Sequence, residues 1–571
     1  MNFLKKMLNP EAGNNNGYPV MEEKISLDIT GMTCDHCAVS IERLLEKKKG
    51  ILSKKVSYAS GKGELTYNPD VISKDDIIGA INQTPNYRAK EANNNGLPNI
   101  KTNHFDLIII GGGSAAFSAA IKANELGLTT LMVNSGLPFG GTCVNVGCVP
   151  SKTLIRAAET AYHASHSNFA GIKPKGFDID FAQVIRDKKQ LVKTLQQKKY
   201  MDVVNDFENL QMLEGWAEFL DEKTILVNGK DEYTAIKFII ATGATTNVPD
   251  IEGLKEAGFL TNVSLFDLEE QPQSITIMGA GYIGLEIAMA YNRLGTKVRI
   301  IEFTDRVLRT QTPDISQELE KNMRNEGIEI LPNFRAVKFE KSGNDTIIYC
   351  KCPDGSFTQI TEPGKVVVAT GTKPNTQNLG LDKIGLQLTK SGHIQVNALM
   401  ETSLLHIYAV GDVANTPAYV YTAAYEAKIA VENAFTGSEL RVDYSSLPWV
   451  VFTDPQVAGV GLDEAQAAAR NIPFEVSKLE LKDIPRAMAA NDIRGFIKLI
   501  RSTETDKLIG ARIVAPEGGE LIMELSLAIK YGITVTDLAQ SFHPYLTLGE
   551  GIKLAAITFG KDVAKLSCCA S

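Results

Sequence analysis

Residues Ile25-Ser26-Leu27-Asp28-Ile29 alternate apolar with polar, the period of a strand with one face buried. Gly31-Met32-Thr33-Cys34-Asp35-His36-Cys37 follows and leads into a helix-compatible run that ends near Lys49. Two further strand-like runs and a second helix close at Asn86-Tyr87-Arg88-Ala89, so the pattern predicts a small ferredoxin-like βαββαβ domain. Residues 91–99 are polar and rich in turn formers and read as a linker, with a reach on the order of 30 Å. The pattern changes at Phe105-Asp106-Leu107-Ile108-Ile109-Ile110, an apolar run of the kind found in strands covered on both faces. It ends on Gly111-Gly112-Gly113-Ser114-Ala115-Ala116 and passes into helix-compatible residues. A second copy runs from Ser274-Ile275-Thr276-Ile277-Met278 through Gly279-Ala280-Gly281-Tyr282-Ile283-Gly284 to Val298-Arg299-Ile300-Ile301-Glu302. Strand, glycine loop and helix, met twice, predict two dinucleotide-binding domains of Rossmann type in an α/β chain. Thr346 to Cys352 alternates again and reads as a strand with Cys350 and Cys352 on one face.

At 571 residues the chain is long enough for three or four domains. Its net charge of -8 comes without a long run of like charge, which disfavours nucleic acid or an anionic membrane as partner. Apolar runs such as Leu107-Ile108-Ile109-Ile110 and Val366-Val367-Val368 are too short to span a bilayer, and residues 1–20 have no apolar signal core. The expectation is a cytoplasmic protein without a membrane span.

The eight cysteines fall in close pairs, which in a large chain without a secretion signal favours metal or redox chemistry over structural disulfides. Cys34 and Cys37, two thiols at the start of a helix, can converge on one soft metal ion such as Hg(II), Cu(I) or Zn(II), and the helix N-terminus favours their thiolates. A thioredoxin-like redox pair is the competing reading of that spacing. Cys143 and Cys148 lie just downstream of the first glycine loop, where a dithiol could exchange electrons with a bound flavin. Cys568 and Cys569 are adjacent, about 3.8 Å apart at Cα, too close for a relaxed disulfide and better suited to clamping a soft metal.

From about Phe105 onward the chain resembles the flavin-linked pyridine nucleotide-disulfide oxidoreductases, on Gly140-Gly141-Thr142-Cys143-Val144-Asn145-Val146-Gly147-Cys148-Val149-Pro150-Ser151-Lys152 and on both glycine loops. Ala241-Thr242-Gly243, Ala369-Thr370-Gly371 and Tyr408-Ala409-Val410-Gly411-Asp412 match further segments of that family, and the N-terminal pattern resembles the heavy-metal-associated domain. The resemblance implies FAD held by Gly111, Gly113, Ala116, Gly141, Thr142, Lys152, Gly243, Gly371 and Asp412. Asn134 stands where the family has an acidic residue for the adenosine ribose. It implies NADH or NADPH on Gly279, Gly281, Gly284 and Glu302, with Glu302 favouring NADH because a carboxylate repels a 2′-phosphate, and with Arg299 and Arg306 as nearby cations. Tyr282 is then the nicotinamide gate, Glu286 pairs with a lysine for which Lys152 is the candidate, Cys148 is the thiolate facing the flavin, and Cys143 is the more accessible thiol.

Within the family, Phe542-His543-Pro544-Tyr545-Leu546-Thr547-Leu548-Gly549-Glu550 aligns Tyr545, not His543, with the general base of the disulfide reductases. Together with the extra thiol pairs this resembles the Hg(II)-reducing branch, with Cys34, Cys37, Cys143, Cys148, Cys568 and Cys569 as metal thiols. Hg(II) thiolates are then the substrate, in a homodimer whose active site is shared across subunits. A lipoamide-type disulfide reductase using His543, and a metal-buffering protein whose flavin part keeps thiols reduced, are the alternatives. The division this implies is a heavy-metal-associated domain over 22–90, a linker over 91–102, FAD-binding parts at 103–248 and 372–440, a nicotinamide domain at 249–371, and an α+β interface domain at 441–571.

Overall fold

A computed structural model describes residues 23–32, 35–58, 61–84, 87–91 and 103–562. The chain divides into two compact units, residues 1–99 and 100–571. In the first, four antiparallel strands lie in the order Ile51–Ser57, Lys62–Tyr67, Glu23–Thr30 and Arg88–Glu91. Helices Asp35–Glu46 and Lys74–Asn82 complete βαββαβ. The alternation at Ile25, Leu27 and Ile29 does what it predicts: all three are buried, against Ile41, Leu45, Ile77 and Ile81. Ser73 caps the second helix, its hydroxyl accepting from the Asp76 N–H at 3.2 Å.

In the second unit, strand His104–Ile110 lies between Thr130–Asn134 and Asp231–Ile240, parallel to both. Leu210–Glu214 and Ile407–Ala409 extend the parallel sheet at its two sides. Phe105, Leu107, Ile108 and Ile109 are fully buried, as a strand covered on both faces requires. The second parallel sheet has the order Glu329–Leu331, Lys297–Ile301, Ser274–Met278, Lys365–Val368. The two sheets are joined twice, where Ala244–Thr246 pairs with Thr372–Pro374 just after Gly243 and Gly371. A five-stranded antiparallel sheet, Trp449–Val451, Gln456–Gly461, Leu508–Ala515, Phe496–Ser502 and Phe474–Glu480, forms the C-terminal part with helices Gly518–Lys530 and Glu550–Ile557. The fold class read from the sequence is therefore the one observed.

The Cys350/Cys352 reading is corrected in part. Strand Asp345–Lys351 ends before Cys352, whose N–H turns to the Ser356 carbonyl at 2.8 Å. Cys350 alone is buried in the strand, and burial pushes its thiol up to about 11. Such a thiol stays protonated and packs as a small apolar group.

Candidate active site

Four glycines bring the thiols to the first nucleotide loop. Gly140 and Gly141 have φ of 101° and 66°, and a Cβ on Gly141 would lie 2.5 Å from the Gly113 Cα. The short helix Gly141–Asn145, which carries Cys143, therefore rests directly on the loop. Gly147 caps the next helix, Cys148–Ser165, so Cys148 occupies its first position and feels the positive end of the helix. Both residues are thiols here, and they share a hydrogen bond that raises Cys143 and lowers Cys148. That bond is the main reason Cys148 falls to about 7, and the charge of Lys152 adds to it against the effect of burial. Of the two thiols, Cys148 is the more readily ionised. In the polypeptide Cys148 is exposed and Cys143 half-buried.

One turn along from Cys148, Lys152 reaches Glu286 at 2.7 Å. Glu286 is itself one turn into the helix that starts at Tyr282, and its other oxygen accepts from the Phe452 N–H at 3.0 Å. The Lys152 ammonium also lies over the Phe452 ring, 4.4 Å from its centre. Thus the thiol helix, the second nucleotide helix and the C-terminal part meet at one ion pair, its Glu286 carboxylate buried and its Lys152 side chain half-buried. The partnership of Lys152 with Glu286 was read from sequence; Phe452 was not, because nothing local distinguishes it from a core aromatic.

The two glycine loops are built alike. A Cβ on Gly111 would lie 2.2 Å from the Ala241 carbonyl oxygen, and one on Gly279 2.5 Å from that of Ala369. Only glycine permits those approaches. Helices Ser114–Glu125 and Tyr282–Arg293 begin at Gly113 and Gly281 with no side-chain cap, which leaves their first N–H groups for an anionic ligand. Next to them Gly243, Gly281 and Gly371 face open space. These features fit a flavin dinucleotide on the first loop and a nicotinamide dinucleotide on the second. Gly284 and Ala116 are buried packing positions of the two helices, and Thr142 is exposed. Asp412, in the turn Gly411–Val413, is raised by burial.

The acidic position differs between the loops. Glu302 is buried and accepts from the N–H groups of Ala280 and Thr304, each at 2.7 Å, so its carboxylate is fixed at the rim of the second loop. Asn134 packs under Gly112 and donates to the Leu137 carbonyl at 2.9 Å, a brace for its own loop. The nearby cations are engaged: Arg299 with Glu329, and Arg306 with Asp305 and the carbonyls of Arg309 and Gln311.

Tyr545 is 55% exposed, whereas the His543 side chain is 7% exposed and bonded to Glu524 at 2.8 Å. Tyr545, not His543, is presented by this loop. Cys37 is half-buried at the start of the N-terminal helix, while Cys34, Cys568 and Cys569 lie outside the described residues. Among the described residues no cluster holds three or more metal-ligating side chains. No helix among them is long and apolar enough to cross a membrane.

Residues 105–427 match the pyridine nucleotide-disulphide oxidoreductase family, 447–556 its dimerisation domain, and 26–86 the heavy-metal-associated domain. Relatives include the mercuric reductase of Lysinibacillus sphaericus, 40% identical over 96% of this chain and all of that one, and that of Staphylococcus aureus, 39% identical over 96% and 100%. Among solved structures, the HOCl-induced flavoprotein disulfide reductase RclA of Escherichia coli in its Cu(II) complex superposes with a TM-score of 0.72 at 26% identity, covering 81% of this chain and 100% of that one. LpdA of Mycobacterium tuberculosis gives 0.70 at 27% identity, over 80% and 100%.

Proposed function

Since this chain belongs to the pyridine nucleotide-disulphide oxidoreductases, we propose that it uses reduced nicotinamide and FAD to reduce thiol-bound Hg(II) to Hg(0). The observation that carries the reading is the Cys143 and Cys148 pair, two thiols sharing a hydrogen bond, seated on the first nucleotide loop. Bound FAD would supply acceptance of a hydride and release of two electrons toward the thiols. The residues to hold it are Gly111, Gly113, Ala116, Gly141, Thr142, Lys152, Gly243, Gly371 and Asp412, with Asn134 bracing the loop.

The protein's part is to orient and to ligate. Gly279, Gly281, Gly284 and Glu302 hold the nicotinamide dinucleotide, and Tyr282 gates its ring. Lys152 and Glu286 fix the thiol helix against the second nucleotide helix, and the Lys152 charge adds to the Cys143 hydrogen bond in favouring the Cys148 thiolate. Cys143 and Cys148 displace the thiols of an arriving Hg(SR)2 and hold the ion between two sulfurs, a geometry that suits a soft cation. The overall reaction balances as Hg(SR)2 + NADH + H+ giving Hg(0) + NAD+ + 2 RSH. The neutral atom has little affinity for thiolates and leaves.

Cys34 with Cys37, and Cys568 with Cys569, would pass the ion inward by ligand exchange. The dimerisation-domain match, with Met523, Leu527, Tyr531 and Phe542 exposed, supports a homodimer. In it Tyr545, with Cys568 and Cys569, would complete the partner's site. A reaction that draws on the reduced nicotinamide pool fits a cytoplasmic enzyme. The test is nicotinamide oxidation by the purified protein in excess thiol, with and without Hg(II). Mercury-dependent oxidation with release of mercury vapour supports the reading. Oxidation that responds to lipoamide but not to Hg(II) would return His543 to the role of base, and metal binding without any turnover would mean a buffer.

A further inference from the structure

Tyr282 is held from two sides, by Trp449 of the C-terminal part and by Gln311, which lies just before helix Pro313–Asn325. Its ring stacks on that of Trp449, centres 6.1 Å apart and 12° from parallel. Its hydroxyl accepts from the Gln311 side-chain amide at 3.1 Å.

Each of these contacts is itself anchored. Trp449 opens strand Trp449–Val451 opposite Gly459, where a Cβ would lie 2.4 Å from the indole, so glycine makes the room for the ring. Arg512, 2% exposed, brings its guanidinium to 5.7 Å from the Trp449 ring and donates to the carbonyls of Val460 and Ala511. Lys498, also 2% exposed, bonds Thr312, Asp314 and Glu464 and so fixes the segment just after Gln311. Buried cations of the antiparallel sheet thus set the platform under Tyr282, while the phenol sits half-buried at the mouth of the second nucleotide loop. The Tyr282 hydroxyl also shares a hydrogen bond with Tyr419, whose ring stacks on that of Tyr421 with centres 5.3 Å apart.

We propose that Trp449 is a positioning residue of the nicotinamide site: the indole holds the Tyr282 ring in place, and a nicotinamide ring enters by breaking this stack. The proposal rests on the nucleotide reading of the second glycine loop. A stacked aromatic pair contributes about 0.5 to 1.5 kcal/mol beyond burial, which is a factor of about two to ten in an equilibrium. A nicotinamide that must open the stack binds weaker by that factor than it would without it.

The chain has two tryptophans, and Trp216 lies elsewhere, bonded to the Asn378 carbonyl. Trp216→Phe therefore makes Trp449 the sole indole reporter. Into this FAD-loaded protein one titrates NAD+, and separately ADP-ribose, which keeps the dinucleotide's adenosine half and lacks the nicotinamide ring. Binding is followed by calorimetry and indole emission together.

The expected result is that both ligands bind and only NAD+ changes the Trp449 emission. Trp449→Leu then tightens NAD+ about two- to tenfold and leaves ADP-ribose unchanged. Weaker or unaltered NAD+ binding in Trp449→Leu, or an equal emission change with ADP-ribose, overturns the proposal. Failure of both ligands to bind would instead overturn the nucleotide site itself. Should Trp449→Leu fail to fold, the comparison of the two ligands in Trp216→Phe still decides.

Discussion

Replacing Cys143 with alanine removes the largest influence that keeps Cys148 ionised, the hydrogen bond between the two sulfurs. Cys148 lies at about 7 against an ordinary 9.0, so near pH 7 about half the molecules carry the thiolate. Three influences pull it down, namely this bond, the Lys152 charge and a backbone N–H, and the bond is the greatest. Losing it should return on the order of one unit, which leaves roughly a tenth ionised at pH 7, about a fivefold loss. Cys143→Ser keeps a hydroxyl donor and should retain most of the lowering. The thiolate is the nucleophile, so the assay is the rate of iodoacetamide alkylation at Cys148 against pH in the reduced protein. The alkylated Cys148 peptide is quantified by mass spectrometry to exclude the other cysteines. The Cys143→Ala profile should shift to higher pH and the Cys143→Ser profile much less, while FAD stays bound and turnover is lost. A Cys148 midpoint unmoved in Cys143→Ala refutes the reasoning, because Lys152 and the helix end would then suffice alone.

Arg293, 1% exposed in its side chain, bridges Glu326 at 2.6 Å and Asp454 at 2.9 Å, so Arg293→Met leaves these two buried carboxylates to Arg494 alone, at 3.9 and 2.8 Å. A loss of about 3 to 5 kcal/mol is expected, read as a lower urea midpoint, with Arg293→Lys intermediate. The fixed Glu302 carboxylate should favour NADH, and calorimetric titration should show NAD+ bound at least about tenfold tighter than NADP+, a preference that Glu302→Ser erodes. Equal affinities in the unsubstituted protein would contradict this. A Cys34→Ala/Cys37→Ala variant should keep its turnover of small mercury thiolates, and complete loss would contradict a delivery-only role for those thiols.

The local part of this molecule was legible in its residues. The run Leu107 to Ile110 and the glycines after it announce a buried strand and a nucleotide loop because the constraint is steric and short in sequence, as the 2.2 Å approach at Gly111 shows. The position of Glu302 was legible for the same reason, since it directly follows strand Lys297–Ile301 beside its own loop. The hydrogen bond between Cys143 and Cys148 was not, because it depends on how the helix after Gly147 turns. Nor were Phe452, Trp449 and Lys498, whose partners Glu286, Tyr282 and Asp314 lie more than a hundred residues away in sequence. No periodicity records such pairings; they follow from how three sheets meet. Tyr545 and His543 lie two positions apart, and the burial of the His543 side chain against Glu524 adds a physical distinction to the one the alignment on Thr547 and Glu550 makes.

The central claim is that electrons from nicotinamide reach Hg(II) through the Cys143 and Cys148 pair. Its most direct test is the ratio of mercury vapour evolved to NADH consumed, measured without oxygen in the native protein and in Cys143→Ala. The account predicts one Hg(0) per NADH in the first and none in the second. NADH consumed without mercury vapour, or vapour still evolved by Cys143→Ala, would contradict it.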